Sequence, residues 1–197
     1  MISERSSSRE LKIGLDVDGV LADVIDAWIS YNNKIRSPIT KSDISDWNFW
    51  AKLRIGKFDF YKELSSCWMM WEKIPPTESQ LPLATNDISK IGTVDIVTAR
   101  EESTHPYVKN WLKSKKIHYS KYVGVLEGSE KANLDYDVFI DDSPINAKEI
   151  LDAGKSVIIY NQPWNLRFDD PRVKRIDKLR DAVPIIKSIE NHLSESS

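Results

Sequence analysis

The chain has 197 residues, with 28 Lys plus Arg set against 30 Asp plus Glu and a formal net charge of −2. That balance excludes the basic excess of a dedicated nucleic-acid binder or a polybasic membrane-surface protein. A content of 41% hydrophobic and 29% charged residues excludes a disordered chain.

Cys67 is the one cysteine, so no internal disulfide can form and a reducing, cytoplasmic compartment is expected. Residues 1–10 and 194–197 read as solvated tails. The first ten residues have no apolar stretch after their charges, which argues against a secretory leader. No run of about 18 apolar residues occurs, so no transmembrane helix is expected. Seven tryptophans among only seven glycines are out of proportion and need an explanation.

In chain order, short runs rich in Val and Ile predict strands over 11–17, 94–98, 122–126, 138–140 and 156–160, with a short sixth over 173–176. They do not alternate strictly, as expected of strands buried on both faces of a parallel sheet. Between them, apolar periodicity predicts helices over 103–115, 144–153 and 184–193. Ser143 with Pro144 opens the second of these and Gly154 closes it. The alternation makes an α/β fold with right-handed crossovers.

The first crossover breaks the rhythm. Residues 18–93 are far more than a connection needs. A helix over 83–90 would be the ordinary crossover. The expected organisation is a Rossmann-like catalytic core over 11–22 and 82–193, with a small helical cap over 23–81 inserted after the first strand. Helical stretches are expected there over 22–34 and 58–64 and around 68–71, with Pro75 and Pro76 ending the insert.

Strand one runs into Asp16-Val17-Asp18-Gly19-Val20, and strand four into Asp141-Asp142. Carboxylates so close raise one another's pKa unless a cation intervenes. A parallel sheet puts its strand ends on one edge, where ligands bind at the point of strand-order reversal. If strands one and four are neighbours, the carboxylates meet in one cleft, and hard oxygen ligands at that density suit Mg²⁺. Strand two ends in Thr98, and Lys131 lies eleven residues before Asp142. A hydroxyl, an ammonium and a metal around a carboxylate make a site for a phosphoryl group.

These motifs, Asp16-Val17-Asp18-Gly19-Val20, Ile96-Val97-Thr98, Lys131 and Phe139-Ile140-Asp141-Asp142, resemble in order those of the haloacid dehalogenase superfamily of phosphotransferases. Within it the chain looks most like the 5′(3′)-deoxyribonucleotidase group. The points of likeness are LDVDGVLAD running straight into a helix, the helical cap, Phe-Ile-Asp-Asp-Ser-Pro, and Asn161-Gln162-Pro163-Trp164-Asn165 after strand five.

The resemblance implies a Mg²⁺-dependent phosphomonoester hydrolase acting on a small molecule, most naturally a (deoxy)nucleoside monophosphate. Asp16 would be the nucleophile that forms an aspartyl-phosphate, and Asp18 the acid and then the base. Thr98 and Lys131 would hold the phosphoryl oxygens. Mg²⁺ would take Asp16, the Asp18 carbonyl and Asp142, with Asp141 behind them or bound through water. A homodimer is compatible with this reading.

One departure stands out. The mammalian-type enzymes follow the Thr with a second hydroxyl residue, where this chain has Ala99-Arg100. Arg100 is expected either on phosphate as a bidentate partner or paired with Glu101 or Glu102.

Trp28 and Trp111 read as packing residues. Trp47, Trp50, Trp68 and Trp71 fall in the cap, where they either fill its small core or, with Phe49, stack on a nucleobase. His105 reads as a surface residue. A sugar-phosphate phosphatase and a non-catalytic binding protein on the same fold are the competing readings.

Overall fold

The computed structural model describes residues 9–195. Six strands form one sheet: β1 (Lys12–Leu15), β2 (Thr93–Ala99), β3 (Tyr122–Val125), β4 (Val138–Asp141), β5 (Ser156–Tyr160) and β6 (Lys174–Ile176). Their order is β3-β2-β1-β4-β5-β6, and every neighbouring pair is parallel. The chain winds outward from β1 through β2 to β3, then crosses back to β4 and winds out the other way. The order therefore reverses between β1 and β4, the crevice where open α/β sheets bind ligands.

Helices cover both faces, which is why the strands lack alternation. Val97, Phe139, Val157 and Ile159 cluster with Ala147, Ile150 and Leu151 of α6 (Pro144–Asp152). On the other face Ile13, Leu15, Ile96, Ile140 and Ile158 join a larger core. That core takes residues from α4 (Leu81–Ile88), α5 (His105–Ser114) and α7 (Ala182–Glu195). Gly14 lets the Phe139 ring lie across β1, since a Cβ there would meet the ring at 2.6 Å.

Between β1 and β2 lie α1 (Val24–Asn32), α2 (Phe49–Lys52), α3 (Lys57–Trp68) and α4. Asp23 caps α1 by accepting from the Asp26 amide at 3.2 Å. The two helical stretches expected over 58–64 and around 68–71 are instead one helix, α3, which runs on to Trp68. A separate 3₁₀ turn follows at Trp71–Lys73. Ser65, Ser66 and Cys67 carry the helix through a stretch with too little apolar signal to be read from periodicity. The crossover helix begins at Leu81, two residues ahead of its expected start. Helix α2 was not anticipated.

Arg9 pairs with Asp137, and Thr93 Oγ1 donates to Glu10 at 2.6 Å. Helix α7 extends to Glu195, so residues 9–10 and 194–195 of the expected tails belong to the fold. Residues 1–8 and 196–197 lie outside the described residues. Among the described residues no helix is long and apolar enough to cross a membrane.

Candidate active site

The loop after β1 is built around Gly19, whose φ is +75°. A Cβ there would also lie 2.0 Å from Asp142 Oδ2, so glycine is required both by conformation and by close approach. The Gly19 amide donates to the Ala22 carbonyl at 2.9 Å. Gln162 Nε2 donates to the Gly19 carbonyl at 2.6 Å. The Asp16 amide extends the β1–β4 ladder by donating to the Ile140 carbonyl at 3.0 Å. These bonds fix Asp16 at the reversal point.

Lys131 comes from a 3₁₀ segment, Gly128–Asn133, and is 1% exposed. Its Nζ lies 3.0 Å from Asp16 Oδ1 and 2.7 Å from Asp141 Oδ2. Asp141 also accepts from the Ser143 amide at 2.8 Å and from Asn146 Nδ2 at 3.2 and 3.3 Å, so both its oxygens are occupied. Asp142 is held from the loop after β5. Trp164 Nε1 donates to its Oδ2 at 2.8 Å, and Asn165 Nδ2 to its carbonyl at 2.8 Å.

Carboxylate oxygens of Asp16, Asp141 and Asp142, all buried, lie within 4.8 Å of one another. Burial pushes the Asp16 carboxyl up to about 7, against the pull of Lys131, and Asp141 and Asp18 add to the rise. Burial likewise raises Asp142, with further repulsion from Asp141 and Asp16. Lys131 is held above its ordinary value: burial opposes its charge, but the two carboxylates outweigh it. Among the described residues, three buried carboxyl groups share one ammonium, so their full ionisation would leave an excess of negative charge in an all-oxygen donor set. That chemistry fits a hard divalent cation such as Mg²⁺.

The Asp18 carboxylate is not part of this cluster. Its Oδ1 accepts from Trp68 Nε1 at 3.1 Å, and its Oδ2 pairs with the Arg100 guanidinium. Arg100 therefore sits on Asp18, its Nε also reaching Thr98 Oγ1 at 3.3 Å and its guanidinium carbon 4.6 Å over the Trp68 ring. Thr98 is buried at the end of β2, beside the same cavity.

Above these groups opens a cavity of about 530 Å³. It is lined by Asp16, Asp18, Thr98, Arg100, Lys131 and Asp142 and by an aromatic group that includes Trp47, Trp50 and Tyr61, with Trp68 lining it beside Asp18 and Arg100. Phe49 also lines it. The aromatic wall is packed: Trp50 and Phe60 stack with centroids 4.7 Å apart, and Trp47 meets Trp50 edge-on at 6.5 Å. Trp50 and Trp68 are buried, whereas Trp47 is half-buried.

Trp71 does not line the cavity. The chain leaves α3 at Met69, and Trp71 packs against the core from the 3₁₀ turn. Trp28 and Trp111 pack as expected, their indoles donating to Glu63 and to the Ile74 carbonyl. His105 is half-buried rather than exposed: its ring packs under Gly124 and edge-on to Tyr122 at 5.3 Å.

Sequence reasoning missed Trp164 and Asn146, which bond the Asp142 and Asp141 carboxylates, and Asn165 and Gln162, which bond the Asp142 and Gly19 backbone carbonyls. The signal available was the polar run 161–165 directly after a buried strand.

Comparison with known proteins gives consistent matches. The family model for "5′ nucleotidase, deoxy (Pyrimidine), cytosolic type C protein" matches residues 9–191. The Bacillus subtilis protein named "Putative nucleotidase YqfW" is 23% identical over 189 residues, covering 93% of this chain and 97% of its own. The fold is similar to that of a haloacid dehalogenase-like family hydrolase from Xanthomonas campestris, with a TM-score of 0.61 at 11% identity over 95% of this chain and 99% of that one. It is also similar to a phosphonoacetaldehyde hydrolase-like protein from Oleispira antarctica, with a TM-score of 0.63 at 12% identity over 95% of each chain.

Proposed function

We propose that this chain, which belongs to the deoxy-pyrimidine 5′-nucleotidase, cytosolic type C family of the haloacid dehalogenase superfamily, hydrolyses (deoxy)nucleoside monophosphates through an aspartyl-phosphate on Asp16. As a member of that family it is a phosphomonoester hydrolase. The observation that carries the mechanistic part is the buried Asp16 carboxylate, bound to Lys131 at 3.0 Å and clustered with Asp142 in the lining of the cavity.

Asp16, Asp142 and the Asp18 backbone carbonyl would hold Mg²⁺, which when bound offsets the charge of the carboxylates and of the phosphoryl oxygens. Asp141, with both oxygens already taken by Lys131, Ser143 and Asn146, orients the cluster. Lys131 and the Thr98 hydroxyl hold phosphoryl oxygens.

In the first step an Asp16 oxygen attacks phosphorus and the bond to the leaving oxygen breaks. That oxygen takes a proton from the Asp18 carboxyl and departs as the nucleoside alcohol. In the second step a water attacks phosphorus and gives its proton to the Asp18 carboxylate. The bond to Asp16 then breaks, releasing inorganic phosphate and the free Asp16 carboxylate.

Residues 23–81 act as a cap over the strand ends, and their aromatic wall offers flat apolar surface for a base. The test is Asp16→Asn, with turnover and acid-stable phosphoenzyme measured together. Both are expected to vanish, and wild-type turnover would overturn the mechanism. A substrate screen tests the nucleotide part: preference for sugar phosphates over every nucleotide would overturn it.

A further inference from the structure

We infer that Arg100 serves the leaving-group proton rather than the phosphoryl group: with the Trp68 indole it holds the Asp18 carboxylate in the orientation from which that carboxyl protonates the departing oxygen. The inference rests on the reading of Asp18 as the acid. Each Asp18 oxygen has its own donor. Trp68 Nε1 takes Oδ1 at 3.1 Å, and a terminal nitrogen of Arg100 takes Oδ2.

Arg100 has little freedom to do anything else. Its side chain is 6% exposed. Its amide is tied to the Val125 carbonyl at 2.9 Å, its Nε reaches Thr98 Oγ1, and its guanidinium carbon lies 4.6 Å from the centre of the Trp68 ring. A planar guanidinium fixed in this way presents its fork in one direction. Trp68 is the last residue of α3, within residues 23–81, and Arg100 follows β2. Asp18 is therefore gripped from the cap segment on one side and from the sheet on the other.

The chemistry follows from the placement. As the bond from phosphorus to the leaving oxygen breaks, its electron pair goes to that oxygen, the proton of the Asp18 carboxyl joins it, and the alcohol leaves. The carboxylate charge that grows on Asp18 faces a fixed guanidinium and an indole N–H, donors already aimed where charge develops. A poor leaving group such as a nucleoside hydroxyl needs that proton. p-Nitrophenolate leaves without it. A residue that positions the acid is thus separable from a phosphate ligand by the leaving group.

The experiment is single-turnover release of the leaving group from a deoxynucleoside monophosphate and from p-nitrophenyl phosphate, by wild type, Arg100→Gln, Arg100→Lys, Trp68→Phe and Asp18→Asn. Arg100→Gln is expected to slow nucleoside release about 10- to 100-fold and p-nitrophenolate release less than about 3-fold, with Arg100→Lys recovering part of the loss. Trp68→Phe keeps an aromatic ring but removes the N–H together with the five-membered part of the indole, so its fold is checked by melting before rates are compared. It is expected to show the same selectivity at about 3- to 10-fold, and it carries the test should Arg100→Gln not fold. Equal slowing of both substrates by Arg100→Gln, with weaker inhibition by inorganic phosphate, would make Arg100 a phosphate ligand and overturn the inference. If Asp18→Asn is selective for the nucleotide but Arg100→Gln is not, the Arg100 inference alone fails. If Asp18→Asn slows both substrates equally, the acid reading beneath it fails.

Discussion

Trp164 donates its indole N–H to Asp142 Oδ2 at 2.8 Å, reaching from the loop after β5 to the carboxylate that ends β4. The bond fixes one oxygen of a buried carboxylate whose other oxygen can face the cluster. Groups that orient a ligand from behind typically account for about 10- to 100-fold in metal affinity. Trp164→Phe, which keeps an aromatic ring but loses the N–H, is expected to weaken Mg²⁺ binding by about that factor. Isothermal titration with Mg²⁺ alone measures it, and unchanged affinity would show that Asp142 holds its rotamer without Trp164.

The excess of negative charge in the cluster makes a stability prediction of unusual sign. In metal-free protein Asp16, Asp141 and Asp142 repel one another within a buried site, and burial and repulsion hold Asp142 well above the ordinary carboxylate range. Asp142→Asn removes a carboxyl that must either hold a buried charge or take up a proton on folding, and leaves an amide oxygen that can still accept from Trp164. Metal-free Asp142→Asn is therefore expected to melt higher than metal-free wild type. Added Mg²⁺ is expected to raise the wild-type melting temperature by mass action and to do little for the variant. Thermal melts with chelator and with Mg²⁺ give all four values, and a lower melting temperature for the metal-free variant would contradict the repulsion argument.

Lys131 is the opposite case, the one cation among the described residues that bridges Asp16 and Asp141. Replacing it with Met leaves two buried carboxylates without their partner, a class of change that costs about 3–5 kcal/mol. Lys131→Met is expected to lose stability on that scale in urea titration and to lose phosphatase activity. Mg²⁺ is expected to recover part of the stability but not the activity.

The framework of this site was legible because its physics is local. Val- and Ile-rich strands buried on both faces announce themselves as runs, and carboxylates directly after such runs have no ordinary structural use. Asp16, Asp18, Asp141 and Asp142 could thus be picked out from the chain, and the β1–β4 adjacency brings their loops to one crevice. The long-range partners were not legible. Arg100 meets Asp18 from 82 residues away and Trp68 meets it from 50, so sequence neighbours Glu101 and Glu102 were the natural partners to expect. Periodicity also fails in short 3₁₀ segments, where one residue decides the face. That is why Trp71 could not be told from the tryptophans that line the cavity.

Gly19 tests how tightly the first loop is coupled to the cluster. Its φ of +75° disfavours any side chain, and a Cβ would fall 2.0 Å from Asp142 Oδ2. Gly19→Ala is expected to cost more than about 1 kcal/mol of stability, because alanine is strained at positive φ. It is also expected to displace Asp142 and so lower Mg²⁺ affinity. The pair of measurements is urea unfolding and Mg²⁺ titration. Loss of stability with unaltered Mg²⁺ affinity would mean that the loop, not Asp142, absorbs the methyl group.

The aromatic wall yields the last prediction, a division of labour between two neighbouring tryptophans. Trp50 is buried, stacked on Phe60 at 4.7 Å and packed edge-on to Phe49. Truncating such a ring costs about 3–5 kcal/mol in a packed core. Trp47 is only half-buried, touches Trp50 edge-on, and lines the cavity from the segment ahead of α2. Trp50→Ala is therefore expected to lower stability strongly, with activity falling alongside. Trp47→Ala should leave the melting temperature close to wild type and raise KM for nucleoside monophosphates, leaving KM for p-nitrophenyl phosphate nearly unchanged. A ring free to meet solvent is free to meet a base, whereas Trp50 has one face taken by Phe60 and is held by Phe49 and Tyr61. Melting curves and KM values for the two substrates decide it. A nucleotide-selective KM effect in Trp50→Ala, at wild-type stability, would reverse the assignment.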